Sequence, residues 1–138
     1  GFGNTAAGDW GPFDKHVANS AGFLIDGTTF NISAAAYSAA VVGGAGTGGL
    51  SFNGPNAMAA NGGNPVYLYT PVAYEEGSSG SHLDDQFYNS KFMMEAATTQ
   101  GPGIRDIGLV EQGILRDIGY TNLTAVPEPS GFLFLGLR

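Results

Sequence analysis

The feature that most constrains this chain is an apolar stripe in residues 107–118. The apolar positions recur every three or four residues, which places them on one face of an α-helix. They are Ile107, Val110, Ile114, Leu115 and Ile118. Asp106 stands where an N-cap residue belongs, and Gly119 stands where a glycine commonly follows a helix. The pattern predicts a helix over 107–118 that packs its apolar face against the rest of the chain.

The remaining apolar runs are short and are separated by turn residues. Glycine accounts for 23 of the 138 residues, well above the usual share of about 7%. Apolar and aromatic residues predict short strands at 22–26, 50–52 and 66–69. An alanine-rich run predicts a helix at 32–42. The sequence therefore predicts a loop-rich α+β fold with few short strands and one amphipathic helix near its C-terminus.

Charge and cysteine content exclude several classes of function. The chain has 5 basic and 12 acidic residues, a net charge of −7. Nucleic-acid binding is not expected, because phosphate neutralisation by basic residues supplies most of that affinity. Cysteine is absent, which rules out disulfides and thiolate metal sites. Histidines and carboxylates remain as candidate metal ligands.

The block with most chemical content is a Gly/Ser loop that contains His82 and is followed by carboxylates. Neutral imidazole suits zinc, and a nearby carboxylate can orient the ring. A solvated loop histidine is the simpler interpretation of His82. The carboxylates Glu75, Glu76, Asp84 and Asp85 could instead hold calcium, although EF-hand spacing is lacking. At this point the block allows a zinc ligand, a calcium site or an acidic solvated surface.

The order of residues in this block resembles the late part of the metzincin metallopeptidases, in particular their leishmanolysin-like branch. His82-Leu83-Asp84 is followed by Phe92-Met93, and Met93 stands eleven positions after the histidine. The resemblance implies that His82 is the third zinc ligand and that Met93 forms the Met-turn below the metal. It also implies that Asp84 supports the histidine from the second coordination shell.

Further stretches, in the same order, are similar to secreted bacterial peptidase-like proteins. They are residues 13–15, 52–57, 59–63, 68–71, 76–79, 81–84 and 113–120. The resemblance implies a metallopeptidase-like domain at 1–121. Within it, 10–75 would be an insertion, 76–96 the block with the third ligand and the Met-turn, and 106–119 the C-terminal helix.

The zinc helix of such enzymes carries a His-Glu-x-x-His motif, in which two histidines bind zinc and the glutamate is the general base. This chain lacks that motif and has only His16 and His82 as histidines. Its opening Gly1-Phe2 resembles the residues that continue the motif. The resemblance implies a fragment of a secreted zinc endopeptidase that hydrolyses a protein or peptide by metal-activated water. The chain alone is expected to be inactive.

Residues 122–138 resemble a PEP-CTERM sorting tail. Pro127, Glu128 and Pro129 form the motif, and an apolar run ending in Arg138 follows it. The run is shorter than the about 20 residues of a membrane span. The resemblance implies export by exosortase-type machinery to the exterior or surface of a Gram-negative bacterium. The alternative function is a non-catalytic, surface-sorted binding or structural module.

Overall fold

The computed structural model describes residues 10–26, 29, 31–44, 49–97 and 103–123. Within these ranges the chain forms an α+β fold with one antiparallel sheet of four strands and four α-helices. The strands are β1 Val17–Asn19, β2 Gly22–Phe23, β3 Ser51–Phe52 and β4 Val66–Tyr67. The helices are α1 Ala34–Ala40, α2 Pro55–Ala60, α3 Asp85–Tyr88 and α4 Leu109–Asp117. The opening Gly1-Phe2 and the motif Pro127, Glu128 and Pro129 lie outside the described residues.

The sheet has the order β2-β1-β3-β4, and all three strand pairs are antiparallel. Val17 pairs with Phe52, which pairs with Val66. Directly opposed residues share a face of the sheet, and all three side chains are fully buried. This face therefore packs on the core. The other face carries Ser51 and Tyr67.

Helices α2 and α4 pack against each other at a position that leaves no space for a side chain. A Cβ atom added to Gly113 would lie 2.6 Å from the Cα atom of Ala57. Glycine at this position lets the two backbones approach closely. The apolar core that the helices share with the sheet comprises Val17, Leu24, Ala40, Val41, Leu50, Phe52, Ala57, Val66, Leu68, Leu83, Tyr88, Val110 and Ile114.

Helix α2 begins with Pro55 at its first turn, where the missing N–H costs nothing. Its N-terminal amides are capped from a distant part of the chain. The carboxylate of Asp117 accepts hydrogen bonds from the backbone N–H groups of Asn56 at 3.0 Å and Ala57 at 2.9 Å. This cap holds the end of α4 against the beginning of α2.

The predicted C-terminal helix is confirmed, but its predicted N-cap is wrong. Helix α4 is capped at Gly108 rather than at Asp106. Gly108 has no side chain, and its N–H donates to the carboxylate of Glu111 at 2.7 Å. Ile107 thus lies before the helix, where it is 42% exposed. Gly119 has a φ of +107°, as expected for a glycine that follows a helix.

The short elements were predicted with mixed success. Helix α1 and strands β3 and β4 lie within the predicted ranges 32–42, 50–52 and 66–69. The predicted buried strand at 22–26 is confirmed only in part, because β2 covers just Gly22 and Phe23, which are both exposed. Leu24 and Ile25, which follow it, supply the buried side chains. Strand β1 and helices α2 and α3 were not predicted. None of the helices in the described ranges combines the length and the apolar composition that crossing a membrane requires.

Candidate functional site

The Gly/Ser loop before His82 is fixed at both ends by main-chain hydrogen bonds. The N–H of Ser79 donates to the carbonyl of Glu75 at 3.0 Å, which closes a turn. The N–H of Gly80 donates to the carbonyl of Tyr69 at 2.7 Å, and the N–H of Tyr69 donates to the carbonyl of His82 at 2.8 Å. These bonds join the loop to the segment that follows β4. They define the position of the His82 backbone relative to the core.

The half-buried ring of His82 has a defined orientation. Its Nδ1 atom lies 3.3 Å from the carbonyl oxygen of Ser78 and 3.2 Å from the hydroxyl of Ser81. A carbonyl oxygen can only accept a hydrogen bond, so a bond to Ser78 needs a proton on Nδ1. The Ser81 hydroxyl could instead donate to an unprotonated Nδ1, but it already donates to the carbonyl of Gly77 at 2.9 Å. This favours the proton on Nδ1. In the neutral ring, Nε2 then keeps a free lone pair. Among the described residues, no hydrogen bond to Nε2 is formed.

The residue after His82 pairs with the segment that contains Met93. The N–H of Leu83 donates to the carbonyl of Met94 at 2.8 Å, and the N–H of Ala96 donates to the carbonyl of Leu83 at 3.1 Å. Met93 itself is 41% exposed. The structure therefore brings the two halves of the predicted block together through their backbones. The proximity of the His82 ring to the Met93 sulfur stays a prediction.

The bend before Met93 is organised by the buried carboxylate of Glu95. Asn89 and Ser90 both have left-handed backbones, with φ values of 56° and 62°. Consecutive amides in such a bend point toward a common centre, which favours an anion. The N–H groups of Ser90, Lys91 and Phe92 donate to Glu95 at 2.7, 2.7 and 2.8 Å. The carboxylate of Glu95 thus serves as the anion that these amides bind.

A second buried carboxylate connects this bend to α4. Glu111 is fully buried, and its Oε1 atom accepts from the N–H of Met94 at 2.8 Å. The ring of Phe92 would lie 3.7 Å from a Cβ atom placed on Gly108, so it packs at the beginning of the same helix. Helix α4 therefore contacts the segment that includes Met93. Sequence reasoning did not identify Glu95 or Glu111, although Glu111 stands three residues after the helix N-cap, where a capping glutamate is common.

Asp84 is 2% exposed and caps helix α3. Its Oδ1 atom accepts from the N–H of Phe87 at 2.9 Å. Burial raises the pKa of Asp84 above its ordinary value of 3.8, and this hydrogen bond partly opposes the rise. The groups at hydrogen-bonding distance from the His82 ring are the Ser78 carbonyl and the Ser81 hydroxyl. Support of His82 by Asp84 stays a prediction.

The other candidate ligands have separate surroundings. Glu75 accepts a hydrogen bond from the Tyr69 hydroxyl at 3.0 Å. In the part of the chain that the structure describes, no three histidine, aspartate or glutamate side chains come close enough together to hold a metal ion. The calcium cluster considered from the sequence, formed by Glu75, Glu76, Asp84 and Asp85, is therefore not assembled in this structure.

The second histidine has a contact typical of a structural residue. The Nε2 atom of His16 lies 3.2 Å from the carbonyl oxygen of Asp117, at the end of α4. Its ring centre lies 5.2 Å from that of Phe52. His16 thus links the residues before β1 to the end of α4.

Comparisons of this chain with models of known protein families, with curated proteins and with solved structures gave no match.

Proposed function

We propose that this chain is the C-terminal part of a secreted, metzincin-like zinc endopeptidase and supplies its third zinc ligand, His82. The observation that carries the proposal is the 3.3 Å contact between Nδ1 of His82 and the Ser78 carbonyl oxygen. Zinc-binding histidines usually donate their second ring N–H to a carbonyl or a carboxylate, which fixes the tautomer. The contact presents Nε2 as the atom for the metal.

Besides the ligand His82, the chain would supply the residues that position the segment below the metal. Glu95 and Glu111 hold the segment that contains Met93 through four main-chain amides. Leu83 joins that segment to the residue next to His82. A methionine in this position would support the metal site from below. The remaining ligands and the general base would come from residues outside this chain, and Asp84 would act indirectly by holding α3.

Zinc bound with these ligands would act as a Lewis acid on a protein or peptide substrate. Because a catalytic zinc site uses three protein ligands, His82 alone would not form one. The isolated chain is therefore proposed to be inactive. The motif Pro127, Glu128 and Pro129 supports the proposal that the protein is exported by exosortase-type machinery and acts outside a Gram-negative cell.

The test is zinc binding by the chain joined to the product of its upstream coding sequence. His82→Ala should weaken zinc affinity by at least about a hundredfold, the upper end of the loss caused by a supporting residue alone. It should also abolish peptide hydrolysis. His16→Ala is the matched control, since the other histidine has a structural contact. Unchanged zinc affinity in His82→Ala would remove the ligand assignment.

The tautomer can be tested in the chain as it stands. Long-range ¹H–¹⁵N spectra of the neutral His82 ring should show its proton on Nδ1. A neutral ring protonated on Nε2 would contradict the orientation on which the proposal rests. This measurement requires neither metal nor upstream residues.

The second candidate is a non-catalytic, surface-sorted binding module. A polar cleft on the sheet, whose lining residues all lie outside the 76–96 block, favours this candidate. The two candidates differ in the role of zinc, which the binding module does not need.

A further inference from the structure

A cleft of about 430 Å³ opens beside the sheet, at the β1–β2 turn and the face that carries Ser51 and Tyr67. The residues that shape it come from all four strands and their flanks. They include Asn19, Gly22, Ser51, Asn53, Pro65 and Tyr67. None of them belongs to the His82 block. The volume suits a small ligand or a few units of a chain-like one.

The lining is polar and uncharged. Its side chains offer carboxamides, hydroxyls and one aromatic ring, and none of its residues is ionisable at neutral pH. The whole chain has a net charge of −7, and the described residues that line the cleft include no cation. Anionic ligands such as phosphates are therefore disfavoured. The chemistry of the lining therefore selects a neutral ligand that forms many hydrogen bonds.

Main-chain recognition of a peptide is disfavoured at the part of this surface that β1 and β3 form. Strands β1 and β3 each pair with a neighbour on both sides. Their backbone groups are thus used within the sheet, whereas an extended peptide binds by adding to an exposed strand edge. The cleft offers side-chain groups, which suit a ligand that carries hydroxyls along its whole length.

The side chains are held in place before a ligand arrives. Ser51 donates from its hydroxyl to the Oδ1 atom of Asn53 at 2.8 Å, so the amide hydrogens of Asn53 remain as donors. The ring of Tyr67 makes an edge contact with Phe87, with centroids 4.7 Å apart and planes at 80°. An oriented carboxamide beside an aromatic ring provides both hydrogen bonds and an apolar contact for a sugar ring.

We propose that this cleft is a binding site for a neutral saccharide. The proposal does not depend on zinc or on His82. In the proposed peptidase, the cleft would attach the protein to a saccharide without taking part in peptide hydrolysis. In a binding module, it would be the main ligand-binding site.

The test uses the full 138-residue chain and three neutral probes, cellohexaose, maltohexaose and chitohexaose. Titration calorimetry and ¹H–¹⁵N spectra should show saturable binding of at least one probe, with shifts concentrated at Ser51, Asn53 and Tyr67. Asn53→Ala should weaken binding by about fivefold, the effect of one neutral hydrogen bond. Asn64→Ala, an exposed amide that does not line the cleft, is the matched control and should bind normally.

A second variant distinguishes loss of binding from loss of the folded structure. Ser20 is exposed and lies at the cleft rim, so Ser20→Arg should block the cleft without disturbing the core. The proposal is overturned if none of the three saccharides binds at millimolar concentration. It is also overturned if binding survives Ser20→Arg unchanged, or if an uncharged peptide displaces the saccharide and binds more tightly.

Discussion

The Oε1 atom of Glu111 accepts a hydrogen bond from the backbone N–H of Met94 at 2.8 Å. The other oxygen of the same carboxylate accepts from the N–H of Gly108 at 2.7 Å. One fully buried side chain therefore connects the beginning of α4 with the segment that contains Met93. This arrangement makes Glu111 a structural requirement of the proposed site.

Replacing Glu111 should destabilise the protein. In Glu111→Gln, one carboxylate oxygen becomes an NH₂ group that faces a backbone donor. Leaving a buried amide without its acceptor should lower the free energy of unfolding by about 2 kcal/mol. Urea denaturation measures this loss as a lower midpoint at an unchanged slope. Glu76→Gln, at an exposed glutamate, is the control, and equal midpoints for the two variants would show that the Glu111 bonds are unimportant.

Replacing Gly113 should also destabilise the protein, although alanine is the better helix former. In an unhindered helix, Gly→Ala would stabilise by about 1 kcal/mol. Here the new Cβ atom would lie 2.6 Å from the Cα atom of Ala57. Separating the two helices should cost about 1–3 kcal/mol. Gly103→Ala is the control, because a Cβ atom there would meet nothing within 4 Å. A Gly113→Ala variant as stable as the wild type would contradict the close packing of α2 and α4.

Asp117→Ala should lower stability by removing the cap of α2. The N–H groups of Asn56 and Ala57 would lose their acceptor, at a cost of about 1–2 kcal/mol. Asp106→Ala is a matched control, because Asp106 is the residue that the sequence predicted as a cap and the structure leaves exposed before α4. Thermal unfolding should separate the two variants. A larger loss for Asp106→Ala would restore the original assignment.

Asp84 should affect stability in a pH-dependent way. Because burial raises its pKa in the folded state, ionisation disfavours folding. The contribution of Asp84 to stability is greatest below its ordinary pKa of 3.8 and is lost as the pH rises through the folded-state pKa. Asp84→Asn keeps an N-cap acceptor without this penalty. Relative to the wild type, Asp84→Asn should therefore gain stability as the pH rises from 3.8 through the folded-state pKa of Asp84.

Asp84→Ala provides the contrast, since it removes the cap and should cost about 1 kcal/mol. Denaturation curves of the three proteins over a pH series give both results. A relative stability of Asp84→Asn that falls with rising pH would show that ionised Asp84 favours folding. In the proposed peptidase, weaker zinc binding by Asp84→Asn would support the predicted role of Asp84 beside His82.

The sequence predicts elements well where the signal is local. The apolar stripe identifies α4, and the glycine after it ends the helix as expected. The alanine-rich run similarly identifies α1. In these segments, spacing and capping residues are close neighbours in sequence, so periodicity suffices to locate the element.

Two of the three elements that were missed depend on distant partners. Helix α2 is capped by Asp117, 60 residues from Ala57, and strand β1 is only three residues long between β2 and β3. The prediction of Asp106 as the N-cap of α4 failed because another side chain takes over the role of the cap. The Glu111 carboxylate satisfies the Gly108 amide from inside the helix, so a capping side chain before it is unnecessary. Within the site, the sequence indicated His82 as a ligand, but the Ser78 carbonyl that orients its ring is a main-chain atom without a sequence signature.

The bend around Glu95 has a consequence for the order of folding. Its hydrogen bonds span three to five residues, whereas the bond between Asn56 and Asp117 spans 61. Short loops close at a smaller entropic cost than long ones. We therefore expect the Met93 segment to acquire its shape early, and the α2 cap to close last. Folding and unfolding rates of Glu95→Gln and Asp117→Ala would reveal the reverse order if the Asp117 variant alone folded more slowly.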